Sequence, residues 1–179
     1  MPGTIPAARQ HLIDDIAKLA RRMRGAPLPL PAFVQAYYRG VGEEDLRARD
    51  SAAFAAAAAG ALSFGTVRPA GEPRVRVFNP QLKRDGWESP HTIVEVVTED
   101  MPFLVDSLAV VLGDSRLPIQ LMIHPVLRIA RDRRGKLLSM EEHDGALGTM
   151  ESWQHVAVPR IGDPARHAAL TENILRMLE

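Results

Sequence analysis

The chain has 179 residues, 22 basic and 22 acidic side chains, 46% apolar residues and no cysteine. A chain of this length buries about 70% of the surface its unfolded form exposes, so one soluble domain, alone or with an appendage, needs no disulfide or metal staple. The apolar content disfavours disorder, the lack of a long apolar run argues against a membrane span, and zero net charge gives no electrostatic reason for a nucleic-acid or membrane partner.

Met1 to Arg9 lack the basic-then-apolar order of a signal peptide, which with the absent cysteine fits a cytoplasmic address. Leu12, Ile13, Ile16, Leu19, Ala20 and Met23 mark one face of a first helix, with Thr4 as its expected cap and Gly25 as its end. The alternating prolines Pro27, Pro29 and Pro31 make a stiff connector. Pro31 then opens a short helix carrying Phe33, Val34, Tyr37 and Tyr38. A third helix is expected to start near Glu43, Glu44 and Asp45 and to run through Leu46, Phe54 and the alanines Ala55 to Ala59.

From Arg68 the period shortens. Arg74 to Phe78 alternates Arg and Val as a half-exposed strand does, and the β-branched run His91 to Glu99 reads as a more buried one. Pro102 opens a helix with Leu104, Leu108, Val111 and Leu112 on one face. In the strand from Ile119, Leu121, Ile123, Leu127 and Ile129 share one face and Met122, His124 and Val126 the other, with an edge or a bulge expected at Pro125. Asp132-Arg133-Arg134-Gly135 is a turn into a short strand at Leu137 to Met140, followed by a strand over Ser152 to Ile161 and a helix capped by Asp163. That helix is cut off in its last turn at Glu179, as a piece of a longer polypeptide is. Strand, helix, strand, strand, helix is the order of a ferredoxin-like unit lacking its final strand; either Arg74 to Phe78 or a second copy of the chain fills the vacant edge.

Chemistry is sparse along the chain. Gly40-Val41-Gly42 lacks the third glycine and the preceding strand of a dinucleotide loop, and Gly135-Lys136 lacks the rest of a phosphate loop. Glu141-Glu142-His143-Asp144 has no metal-site spacing and reads as a solvated loop. His124 and His155 lie on expected strands, where they either face each other as a two-histidine site or are partly buried, hydrogen-bonded residues of the sheet. Ser89 and His91 flank Pro90 without a nucleophile elbow, and Asp106 and Ser107 fit a helix surface. Glu95, between Ile93 and Val97 on one strand face, needs a partner, for which Arg128 is the candidate, or else contacts a ligand. The junction Thr98 to Phe103, where a buried strand meets a helix N-terminus, suits an anion such as an amino-acid carboxylate, or is simply a capped turn.

Four blocks go further: Val75 to Pro80, Gly86 to Glu95, Asp100 to Ser107 and Ile123 to Val126, preceded by Tyr37-Tyr38 and Glu44-Asp45-Leu46. In this order they resemble the N-terminal region of the large bacterial NAD-specific glutamate dehydrogenases. The resemblance implies an α+β fold: a helical segment over residues 1–65, then an ACT-like domain over 66–179, a ferredoxin-like βαββα antiparallel sheet with helices on one face, truncated at its C-terminal end. It implies a non-catalytic regulatory or assembly region with no cofactor or metal of its own, NAD serving the parent enzyme, which converts L-glutamate, NAD and water to 2-oxoglutarate, ammonia and NADH. Partners are then the other domains of the parent chain and further copies in a homo-oligomer. An amino-acid effector acting allosterically has its candidate site at Glu99, Asp100, Met101, Pro102 and Phe103, where Asp100 and Pro102 match the ACT turn and Phe103 stands in place of its glycine. A ring there is expected to fill the effector's space. The alternative is a ligand-free module for oligomerisation or interdomain packing.

Overall fold

A computed structural model describes residues 7–25, 29–141 and 148–179. The expected cap Thr4, the connector residues Pro27 and Leu28, and Glu142, His143 and Asp144 lie outside the described residues. Four helices come first: α1 (Ala7–Arg22), α2 (Leu30–Tyr38), α3 (Glu43–Arg47) and α4 (Ser51–Gly65). The expected single third helix is two. Asp50 adopts an extended conformation, φ −62° and ψ 139°, and its carboxylate accepts from the Ala52 N–H, so a new helix starts where the old one was expected to continue. The strand-rich part follows as β1 (Arg74–Phe78), α5 (Leu82–Asp85), β2 (His91–Glu99), α6 (Leu104–Asp114), β3 (Leu121–Ile123), β4 (Val126–Arg131), β5 (Leu137–Glu141), β6 (Thr149–Pro159) and α7 (Pro164–Met177).

The six strands form one antiparallel sheet in the order β1-β2-β6-β4-β5, with β3 also paired to β6. β1 fills the edge beside β2 that a ferredoxin-like unit gives to its final strand. β3 and β4 are one strand broken at Pro125, which has no N–H to donate; the Pro125 carbonyl still accepts from the Trp153 N–H at 3.0 Å. In the following hairpin the Asp132 carboxylate accepts from the Arg134 and Lys136 N–H groups at 2.8 and 2.9 Å.

Strand alternation sends side chains to two cores. Val94, Val96, Val156 and Val158 meet Leu108 and Leu112 of α6 and Leu170 and Ile174 of α7 on one face. Val97, Ile123, Leu127, Ile129 and Trp153 meet α1, α2 and α4 on the other. The α6–α7 pair therefore lies on one face as expected of an ACT-like unit, and the N-terminal helices roof the opposite one. α2 is buried on nearly every side, Phe33 packing edge-on to Trp153 at 5.1 Å and the Tyr38 hydroxyl donating to the Phe54 carbonyl at 2.7 Å.

The run of small residues in α4 is what lets it lie flat on the sheet. A Cβ at Gly65 would lie only 2.2 Å from the nearest atom of the Trp153 ring, well inside van der Waals contact. Because that ring is fully buried, the chain has no cheap way to move it, and Gly65→Ala is expected to cost about 1–3 kcal/mol in urea unfolding.

Candidate functional site

The sequence singles out the turn between β2 and α6. Its first residue, Glu99, ends β2 and reaches to 3.8 Å from the Arg68 Nη2, while the Asp100 N–H donates to the Met150 carbonyl at 2.9 Å and so carries the pairing with β6 one residue beyond the strand. Met101 is 39% exposed and Phe103 77% exposed. Phe103 sits in the left-handed region, φ 63° and ψ 11°, a conformation that favours glycine. Its carbonyl accepts the Ser107 N–H at 2.8 Å, and α6 begins without a side-chain cap. The backbone thus takes the conformation that a glycine adopts most readily, and the ring is turned toward solvent. An L side chain in this region costs about 1 kcal/mol.

Behind Glu99 lies a network that the sequence did not announce. Glu151 of β6 is fully buried, and Arg68 and Arg131 converge on it. The Arg68 Nη2 donates to Oε1 at 2.9 Å, the Arg131 Nε donates to Oε1 at 2.7 Å, and the Arg131 Nη2 donates to Oε2 at 2.8 Å. Arg131 also donates to the carbonyls of Gly65 and Thr66 at the end of α4, at 2.9 and 3.2 Å. Burial alone would raise the Glu151 carboxyl; the hydrogen bonds from Arg131 and Arg68, and then their charges, outweigh it and hold it below the usual carboxylate range. Arg68, Glu99, Ile129, Arg131, Arg133 and Thr149 line a cleft of about 270 Å³. The signal that could have found Glu151 is parity: it shares a strand face with Trp153, His155 and Ala157.

Glu95 is paired, but Arg128 is not its partner. Register places Arg76 of β1 and His155 of β6 directly opposite it, and the Arg76 Nε donates to the carboxylate at 2.6 Å while the His155 Nδ1 lies 3.0 Å from its other oxygen. Arg128 instead donates to the Gly148 carbonyl at 3.3 Å. His124 and His155 point to opposite faces of the sheet, because β3 opposes Ile123 to His155 and leaves His124 beside Ser152, 2.9 Å from its Oγ. Burial pushes the His124 imidazole below its usual range, with the Asp100 charge opposing. The Ser89 Oγ accepts from the His91 N–H at 3.1 Å, a turn contact. Among the described residues no three of His, Asp and Glu gather as a metal site. No helix among them is long and apolar enough to cross a membrane.

A sheet in this order with α6 and α7 on one face defines an ACT-like α+β domain. The family model "Glutamate dehydrogenase, ACT1 domain" matches residues 33–174, and the chain belongs to that family. The match begins within α2, so it takes in most of the helical roof as well as the sheet. The chain is 34% identical over 180 residues to an NAD-specific glutamate dehydrogenase of Halomonas elongata, covering 96% of this chain and 11% of that protein. It is 34% identical over 109 residues to the enzyme of the same name from Pseudomonas aeruginosa, covering 60% and 7%. The chain therefore spans about a tenth of the length of the curated relatives it matches. What matches is the ACT1 domain and not the catalytic part. No solved structure matches.

Two outcomes follow from this geometry. Phe103→Gly is expected to raise stability in urea by about 0.5–1 kcal/mol, since it relieves the left-handed strain and loses no packing. Glu151→Gln is expected to lower it by about 3–5 kcal/mol at neutral pH, because two buried guanidinium groups lose their counter-charge. With its folded pKa depressed, the Glu151 contribution is complete above the unfolded value of about 4.3 and is lost as pH falls through the folded value, so the acid limb of a stability–pH profile should flatten in the variant.

Proposed function

We propose that this chain is the N-terminal, non-catalytic regulatory and assembly region of an NAD-specific glutamate dehydrogenase. The parent polypeptide, in the cytoplasm, converts L-glutamate, NAD and water to 2-oxoglutarate, ammonia and NADH. NAD and the reacting groups belong to other parts of it. Residues 1–65 form the helical segment and 66–179 the ACT-like domain, and the partners of both are the remaining domains and the other copies in a homo-oligomer. The observation that carries the reading is the family match over residues 33–174, supported by 34% identity across nearly the whole chain.

At the β2–α6 turn the geometry favours packing. An apolar ring held outward by a strained backbone gains free energy when another surface covers it. The second reading, an amino-acid effector at Glu99 to Phe103, is favoured by the uncapped α6 N-terminus, whose free N–H groups suit a carboxylate.

Phe103→Gly in the parent enzyme separates assembly from chemistry. Sedimentation should show association weakened about tenfold, the equivalent of about 1.4 kcal/mol, while turnover of the fully assembled enzyme with glutamate and NAD stays unchanged. Turnover lost in the assembled enzyme would contradict a non-catalytic role, and unaltered association would contradict packing at the turn.

A further inference from the structure

At the opposite end of β2 from the turn, some eight residues or about 26 Å away along the strand, lies a second cleft of about 410 Å³. Its wall includes Asp45, Arg49, Asp50, Glu88, His91 and Gln120. The size falls within the range of small-molecule pockets.

Arg49 makes this cleft unusual. The extended Asp50 that starts α4 turns the chain between α3 and α4, and the Arg49 guanidinium lies 5.6 Å from the Trp87 ring centre and 5.9 Å from that of Phe54. Both rings are buried. The rings give the cation an attractive surface on which to rest, but no acceptor for its five N–H donors. Among the described residues Arg49 has neither an ion pair nor a hydrogen bond, whereas Arg68, Arg76 and Arg131 each hold a carboxylate. Burial pushes its pKa down from the usual range, with Tyr38 and the charge of Asp45 opposing. His91 on the same wall has an Nδ1 that is buried and unpartnered.

A guanidinium presenting an open fork asks for a planar, two-oxygen acceptor. The rest of the wall selects among such acceptors. Asp45 and Glu88 are exposed and enter no ion pair among the described residues, and Asp50 gives only one oxygen to the α4 cap. Three carboxylates around one guanidinium repel a phosphate or a dicarboxylate and attract an ammonium placed next to a carboxylate. We propose that this cleft binds a free α-amino acid, its carboxylate on the Arg49 guanidinium and its ammonium toward Asp45 and Glu88. The site is independent of the turn at Glu99 to Phe103, so it stands or falls apart from the readings above. Occupation ties the α3–α4 link to the starts of β2 and β3, and thereby couples an amino acid to the seating of the helical roof.

The test is thermal unfolding and calorimetric titration of the 179-residue chain with each proteinogenic amino acid at millimolar concentration. At least one is expected to raise the unfolding temperature and to bind. Its affinity should fall at least tenfold in Arg49→Gln, fall also in Arg49→Lys, which keeps the charge but loses the fork, and remain unchanged in Asp100→Asn. Titrating the wild-type chain with the N-acetyl and the amide derivatives of the responding amino acid avoids any folding defect in the variants, and each should bind at least tenfold more weakly. Absence of binding by every amino acid, binding that survives in both Arg49 variants, or equal binding of either derivative would overturn the proposal. Loss of binding in Asp100→Asn with retention in Arg49→Gln would overturn it in favour of the turn.

Discussion

The fully buried carboxylate of Glu151 is the contact on which the relation between helices and sheet depends. Arg131 takes both of its oxygens and, with its remaining donors, the carbonyls of Gly65 and Thr66 that α4 leaves free at its C-terminus. Arg68 takes the same carboxylate from the segment that leaves α4. One anion therefore closes the helical roof, the β4–β5 hairpin and β6 onto one another. Such a network adds little net stability, because desolvating three charges offsets most of their attraction. What it does is to make any other seating of α4 leave a charge buried alone.

The row Arg76, Glu95 and His155 repeats this logic across three neighbouring strands. Antiparallel register sets the three residues opposite one another, and Arg76 extends to the Gly60 carbonyl of α4 while stacking on Phe64 and Phe78. α4 is thus held at two points, by Arg76 near its middle and by Arg131 at its end, with Trp153 against Gly65 between the sheet and the helix. The two ends of β2 are left with different tasks. Its C-terminal end presents Phe103 outward on a strained turn, and its N-terminal end opens on the cleft lined by Arg49.

Most elements were legible in the sequence because their signals are local. The alternation of Leu121, Ile123, Leu127 and Ile129, the cap at Asp163 and the hairpin at Asp132 depend only on neighbours a few residues apart. Asp50 was missed as a cap because the alanine run beyond it is helical by propensity whatever precedes it. Partners across strands were not legible. Arg128 and Arg76 are equally plausible companions for Glu95 until register is known, and register depends on which strands are adjacent. The same holds for His124 and His155, whose faces are fixed only once β3 is known to set Ile123 opposite His155. At the turn the position of the candidate site was legible and the direction of its ring was not, because a phenylalanine in the left-handed region runs against its intrinsic preference. Arg49 could not be singled out, since an arginine resting on two buried rings looks in sequence like any other.

The shared core predicts that the helical roof and the sheet open together. Native-state hydrogen exchange tests this most directly, by comparing the opening free energies of the α4 amides with those of β6. Values for Leu62 in α4 that match those for Val156 in β6 are expected, since Leu62 is packed into the same core as Trp153. Opening of α4 at several kcal/mol below β6 would contradict a roof locked to the sheet by Glu151.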